Sequence, residues 1–327
     1  RECPHFRPRG HQRHARYRPD HAAVVFGESR LSWRDCHARV SRLAAALQAQ
    51  GVAKGERVAT VLPNCLELLD CYWACAQIGA VMVPLSPLLT AHGLRSLLAD
   101  AGPRVVLADA GTAAVVRDAC DVVPTAVAVC TDGAPSGFSA LSALLANAAE
   151  TPVPVAVSPD DLYNIMYTSG TTGMPKGIMH TQRIRAHYGT LFANAWRLRP
   201  ESVVLHTGAI VFNGAMVTLF PCFLQGATYV LHKQFDAAAL IETVAREQVT
   251  HLMLVPSQII AVLDAPNFAA EKLASVEMLL SLGAPLHAQA RALDGFAILR
   301  EFDLPLGATE GLGHLSQGTT IGPRHEP

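Results

Sequence analysis

The chain has 327 residues, 50% of them hydrophobic and 16% charged. Against a usual charged share of roughly 25%, this excludes a disordered chain and leaves room for one large domain or two ordinary ones. With 26 Lys and Arg against 27 Asp and Glu the net charge is -1, so no bulk attraction favours nucleic acid or an anionic membrane.

Residues 1–20 hold six arginines and almost no aliphatic side chain. They are expected to form an irregular, basic, solvated segment, with His5, His11 and His14 lacking the second ligand cluster that a zinc site needs. From residue 21 the texture changes. Residues 22–26 read as a strand, Gly27 and Glu28 as a turn, and Ser32 as the N-cap of a helix. That helix repeats Val40, Leu43, Ala44 and Leu47 at helical spacing and stops at Gly51.

Strands are then expected at 57–62, 81–84, 104–108 and 125–130, alternating with helices at 66–78, 93–101 and 113–120. Short β-branched runs between helical segments mark an α/β fold with a largely parallel sheet covered on both faces. Residues 134–159 read as a helix and an irregular connector, and residues 250–256 as a buried strand. The uncharged stretches 71–94 and 202–232 are interrupted by Pro84 and Pro87, and by Asn213, Gly214, Pro221, Gln225 and Gly226. No transmembrane span is therefore expected. The eight cysteines form no CxxC pair and read as reduced, mostly buried thiols. With no signal-peptide core after Arg1, a cytoplasmic protein is the expectation.

A strand pattern at 162–167 runs into Thr168-Ser169-Gly170-Thr171-Thr172-Gly173-Met174-Pro175-Lys176-Gly177. Hydroxyls and glycines around one lysine allow tight turns, exposed N–H groups and extra donors, which suits a phosphate guest. The glycine spacing does not match a Walker A loop, so a P-loop NTPase is disfavoured. Lys176 carries weight because the chain has only three other lysines, Lys54, Lys233 and Lys272.

This segment resembles the phosphate-binding signature of the acyl-adenylate-forming, AMP-dependent synthetase superfamily, and of its acyl-CoA synthetases in particular. Trp33, Arg42, Leu43 and Ala44 resemble the family's early helix, and Pro84-Leu85-Ser86-Pro87 a family turn. Phe212-Asn213-Gly214 lies where the family places the gate of the acyl pocket. Gly283-Ala284-Pro285, after a strand at 278–283, resembles the turn that lies against adenine. Leu306-Gly307-Ala308-Thr309-Glu310-Gly311 resembles the YGxTE motif, with Leu306 where the family has Tyr.

The resemblance implies the large α/β N-terminal domain over 21–311, followed by an irregular tail over 312–327. It implies ATP, Mg²⁺ and coenzyme A as cofactor and co-substrates, and a carboxylic acid, fatty acids first, as substrate. Thr168, Ser169, Gly170, Thr171, Thr172, Gly173 and Lys176 would hold phosphates. Thr309 would bond phosphate or carboxylate, and Glu310 would hold the metal. The catalytic set it implies is Lys176, Thr309 and Glu310.

No Asp or Glu occurs between Glu201 and Asp236, so a plain carboxylic acid fits better than an amino acid. The family pattern continues with a ribose-binding Asp, a hinge Arg and a small C-terminal domain carrying a catalytic Lys. No Asp follows Asp303 and no Lys follows Lys272, so the chain is expected to be the N-terminal part of such an enzyme, impaired in adenylation by itself. The alternatives are an acyl-AMP ligase or adenylation domain feeding a carrier protein, and a catalytically dead nucleotide-binding fragment.

Overall fold

A computed structural model describes residues 10–168, 175–281 and the backbone of 299–301. The chain opens with α1 (Gly10–Tyr17), the hairpin β1 (Ala22–Phe26) and β2 (Ser29–Ser32), and α2 (Trp33–Ala49). Alternation follows through β3 (Arg57–Val61), α3 (Leu66–Ile78), β4 (Val81–Leu85), α4 (Ala91–Ala101), β5 (Val105–Ala108), α5 (Ala113–Ala119) and β6 (Val127–Cys130). A short β7 (Ser139–Ala140) and α6 (Leu141–Ala146) precede a second hairpin, β8 (Leu162–Thr168) and β9 (Lys176–Thr181). Then come α7 (Gln182–Ala195), β10 (Val203–His206), α8 (Met216–Gln225), β11 (Thr228–Leu231), α9 (Ala237–Glu247), β12 (His251–Leu254), α10 (Pro256–Leu263), β13 (Met278–Ser281) and β14 (Leu299–Glu301).

The strands form two seven-stranded sheets, ordered β14-β13-β12-β10-β11-β1-β2 and β7-β6-β5-β3-β4-β8-β9. Among the described residues every pairing is parallel except the two hairpins, β1 with β2 and β8 with β9. Alternation along each strand sends side chains to opposite faces. In the second sheet Val58, Val105 and Leu107 point inward, while Ala59, Val106 and Ala108 pack outward against α4 and α5. In the first, Tyr229, Leu231, Met278 and Leu280 point inward, while Val230 and Leu279 meet α9 and α10. The inner faces share a layer made of α1, α2, α3, α7 and α8. Strands covered on both faces explain the unbroken apolar runs of the sequence.

Ser32 caps α2 as expected: its hydroxyl accepts from Asp35 N–H, and the Asp35 carboxylate accepts from Ser32 N–H, each at 3.1 Å. Gly226 ends α8 at φ +77°, where a Cβ would lie 2.5 Å from His14 Nδ1; only glycine fits both demands.

Three expectations need correction. Residues 10–17 are not an irregular solvated segment, since they form α1 with His11 and His14 buried. The buried residues of α1 are His11 and His14, an i, i+3 pair of polar side chains, with Ala15 half-buried beside them. His14 Nε2 lies 3.1 Å and 3.2 Å from the carbonyl oxygens of Phe223 and Leu224, at the end of α8 where carbonyls lack helical partners. Its ring packs 4.8 Å from Trp33. Pro221 does not interrupt α8 but lies within it. Pro256, taken from sequence as the end of a strand, is the first residue of α10, where its missing N–H costs nothing.

Asn64, just past β3, joins the two sheets. Its Nδ2 donates to the carbonyls of Gly208 at 2.7 Å and His232 at 2.9 Å, beyond the ends of β10 and β11. Its Oδ1 accepts from Ile210 N–H at 2.9 Å. Asn64→Ala leaves these buried backbone groups without partners, and we expect it to lower unfolding stability by about 3 kcal/mol. A urea titration followed by circular dichroism measures this, and a loss below about 0.5 kcal/mol would show that water replaces the amide.

Candidate active site

The strand stem of the glycine and hydroxyl segment is an antiparallel ladder. Its register pairs Asn164 with His180, Tyr167 with Gly177 and Thr168 with Lys176. Thr168 and Lys176 are therefore opposite each other at the end of the hairpin, and both are exposed. Lys176 has no ion-pair or hydrogen-bond partner among the described residues, so its charge is available to a ligand. Gly177 is required by close approach, because a Cβ there would lie 3.0 Å from Ile165 Cγ2 and 3.1 Å from Tyr167 Cε1. Ser169, Gly170, Thr171, Thr172 and Gly173 lie outside the described residues.

Phe212 is 55% exposed and introduces a 3-10 turn, Asn213–Ala215, that leads into α8. Asn213 turns inward: its Oδ1 accepts from Arg185 Nη1 at 2.8 Å, and its Nδ2 donates to the Tyr188 hydroxyl at 3.2 Å. Gly214 has open space where a Cβ would stand. Gly283, Ala284, Pro285, Thr309 and Glu310 lie outside the described residues. β13 is described up to Ser281, and the parallel strands β10, β12 and β13 end on the same edge of their sheet. The carboxyl edge of an open parallel sheet is where such folds bind ligands. Among the described residues no group of three or more His, Cys, Asp or Glu could hold a metal, and no helix is long and apolar enough to cross a membrane.

Reasoning from sequence missed α7 and what it carries. Gln182, Arg185, Tyr188, Gly189 and Ala193 form its buried face, a helical spacing that was readable but is dominated by polar side chains. Arg185 is 1% exposed and donates from Nε to Asn164 Oδ1 at 2.8 Å. Burial pulls the guanidinium pKa down from its usual value, although the side chain stays charged. His180, opposite Asn164, is drawn down to about 3, first by burial and then by the Arg185 charge. His206, at the end of β10, is drawn down to about 4 by burial. Both imidazoles are neutral at pH 7.

Comparison with known proteins agrees with this architecture. The model of the family described as AMP-binding enzyme matches residues 11–324, which takes in α1. An indoleacetate–CoA ligase of Aromatoleum aromaticum is 33% identical over 269 residues, covering 82% of this chain and 53% of the relative. A feruloyl-CoA synthase of an Amycolatopsis species is 34% identical over 301 residues, covering 89% of this chain and 58% of the relative. The chain thus spans little more than half the length of these relatives. The inhibitor-bound N-terminal domain of FACL13 from Mycobacterium tuberculosis superposes with a TM-score of 0.78 at 28% identity, over 88% of this chain and 73% of that one.

The two depressed histidines set a pH dependence. Their folded-state pKa values, about 3 and about 4, lie below the ordinary 6.5, so the unfolded chain binds protons first. Their contribution to stability is complete above about pH 6.5 and is lost as pH falls toward the folded values, at up to about 1.4 kcal/mol per histidine per pH unit. Asp70, whose buried carboxyl is raised to about 6, acts in the opposite direction over part of this window. We expect the thermal midpoint to fall steadily from about pH 7 to about pH 5; a flat or rising profile would mean that these histidines are protonated in the fold.

Proposed function

The chain belongs to the AMP-binding enzyme family, and from that premise we propose that it carries the adenylation site of an acyl-CoA ligase, which activates a carboxylic acid with ATP for transfer to coenzyme A. The observation that carries the reading is the family match over 11–324, combined with an exposed Lys176, unpartnered among the described residues, opposite Thr168 at the end of the hairpin. The named relatives are CoA ligases, which supports coenzyme A as the acceptor.

In this reading a carboxylate oxygen of the acid attacks the α-phosphorus of ATP. The bond to the bridging oxygen breaks, pyrophosphate leaves, and an acyl-adenylate remains. The coenzyme A thiol then adds to the acyl carbon, and AMP departs as the thioester forms. The part played by this chain is electrostatic. Lys176 and the hydroxyls and amides of 168–173 hold the β and γ phosphates and stabilise the charge that collects on pyrophosphate. Glu310 would supply an oxygen ligand for Mg²⁺, Thr309 a donor to phosphate or carboxylate, and 283–285 a contact for adenine, all of them outside the described residues. Phe212, Asn213 and Gly214 border the acyl group. Fatty acids are the simplest acids with the apolar body that the uncharged segment 202–232 would accept.

Lys176 reaches only the phosphates that AMP lacks. Lys176→Met is therefore expected to weaken MgATP binding by tenfold or more in calorimetric titration, since a charge-assisted bond is worth roughly 1.5–3 kcal/mol. AMP affinity should stay within about twofold. Equal weakening of both nucleotides would remove Lys176 from the β and γ phosphates.

A further inference from the structure

Among the described residues, Arg185 is a buried cation with no acid beside it. It occupies the fourth position of α7, whose first turn also lacks an acidic residue, so the guanidinium charge adds to the positive end of the helix. The titratable groups that face it are Tyr72, Tyr163, Tyr188 and His180, none of them an anion at neutral pH. The faces of Tyr188 and Phe220 lie 4.9 Å and 5.6 Å from its Cζ.

Counting donors sharpens the point. Of five guanidinium N–H groups, Nε donates to Asn164 Oδ1, Nη1 to Asn213 Oδ1 and Nη2 to Met166 Sδ, and the Tyr188 side chain is a further hydrogen-bond partner. Because Asn164 Oδ1 accepts from Arg185, its Nδ2 is a donor, and it has no partner among the described residues although Asn164 is fully buried. Asn213 also spends its oxygen on Arg185, and its Nδ2 goes to the Tyr188 hydroxyl, whose proton is left to point elsewhere. Among the described residues the cluster thus holds more donors than acceptors, with Asn164 Nδ2 unpartnered, and one positive charge without a carboxylate partner. Buried groups of this kind are costly unless an acceptor meets them.

We infer that this cluster receives an acceptor oxygen on the acid, at the end remote from the reacting carboxyl, so that the site prefers an oxygen-tailed acid to a plain hydrocarbon one. The inference rests on the adenylation reading above. Position separates the two ends of the acid: Asn164 lies four residues down β8 from Thr168, about 13 Å along the strand, which is too far for the carboxyl that reacts at the phosphate. Asn213 belongs to the segment bordering the acyl group and ties Arg185 to it directly. A terminal carboxylate would cancel the charge, while a ring hydroxyl would supply an acceptor without charge.

The test uses the purified chain and non-hydrolysable acyl-sulfamoyl adenosines of matched length, with alkyl, ω-carboxyalkyl or hydroxyaryl tails, and AMP as reference, titrated by calorimetry. We expect an oxygen-bearing tail to bind tenfold or more tighter than the alkyl tail, a bond to a charged group being worth about that. The carboxylate and hydroxyaryl arms identify which oxygen is used. In Arg185→Gln the oxygen-bearing ligands should lose at least about fivefold more affinity than the alkyl one. Should that variant fail to fold, the wild-type series decides by itself. An alkyl tail that binds as well as or better than the others, with AMP binding intact, overturns this inference and leaves the adenylation reading standing. Failure of AMP and every analogue to bind overturns both.

Discussion

The contact on which the rest of the molecule depends is the one carboxamide of Asn64, which holds the ends of β10 and β11 against the end of β3. Each sheet has an apolar inner face, and neither has helices of its own sufficient to cover it. The shared layer of α1, α2, α3, α7 and α8 buries both faces at once, so each sheet's inner surface is dry only while the other is in place. Trp73, stacked 4.5 Å from Phe223, and Trp33, edge-on to the same ring at 5.1 Å, fill the middle of that layer. Such pairs add about 0.5–1.5 kcal/mol each beyond their buried area. A directional bond is needed as well, because apolar packing alone does not fix how one twisted sheet is turned against another. Asn64 supplies that direction, and it brings the carboxyl ends of both sets of central strands to one side.

A polar thread runs through this otherwise apolar layer. The Tyr72 hydroxyl donates to the Ile210 carbonyl at 2.7 Å, and the Tyr163 hydroxyl donates to the Tyr72 carbonyl at 3.0 Å. Ile210 is also the residue whose N–H bonds Asn64. The segment that precedes Phe212 and Asn213 is thereby fixed from α3 and from the end of β3, while β8 is fixed to α3. The proposed acyl border and the stem of the phosphate segment are held by one connected set of bonds, and such networks specify geometry more sharply than apolar contacts do.

The strands were the most legible part of the sequence. Runs such as 22–26 and 57–62 meet apolar surfaces on both sides, so their composition alone marks them, and β1 and β3 follow with an error of at most one residue at either end. The helix at 66–78 matches α3 for the same reason. Among what escaped were α1 and α7, whose buried faces are built from His11 and His14, and from Gln182, Arg185 and Tyr188. Hydrophobic periodicity cannot register a face whose apolar surroundings are provided by its partners. Of the candidate site, the motif flanking Lys176 stands out in the sequence because its chemistry is local, although residues 169–174 lie outside the described residues. The Arg185 cluster was not, because it joins residues 164, 185 and 213, whose proximity is a product of the fold.

Arg39 provides an internal comparison for Arg185. It lies on α2 in the same layer, less deeply buried, and its guanidinium meets the carboxylates of Asp70 at 2.7 Å and Glu67 at 3.3 Å. The fold accepts a steep cost to keep that pairing, since burial raises the Asp70 carboxyl to about 6 even beside the arginine. Leaving an arginine unpaired is costlier still, because the desolvation penalty then has no Coulombic return. At Arg39, which is half-buried, the protein thus places acids next to the guanidinium. At Arg185, more deeply buried, it offers amide oxygens, a thioether and ring faces instead. Among the described residues those groups hold the guanidinium in place without neutralising it, which is the arrangement the inferred acceptor oxygen of the acid would complete.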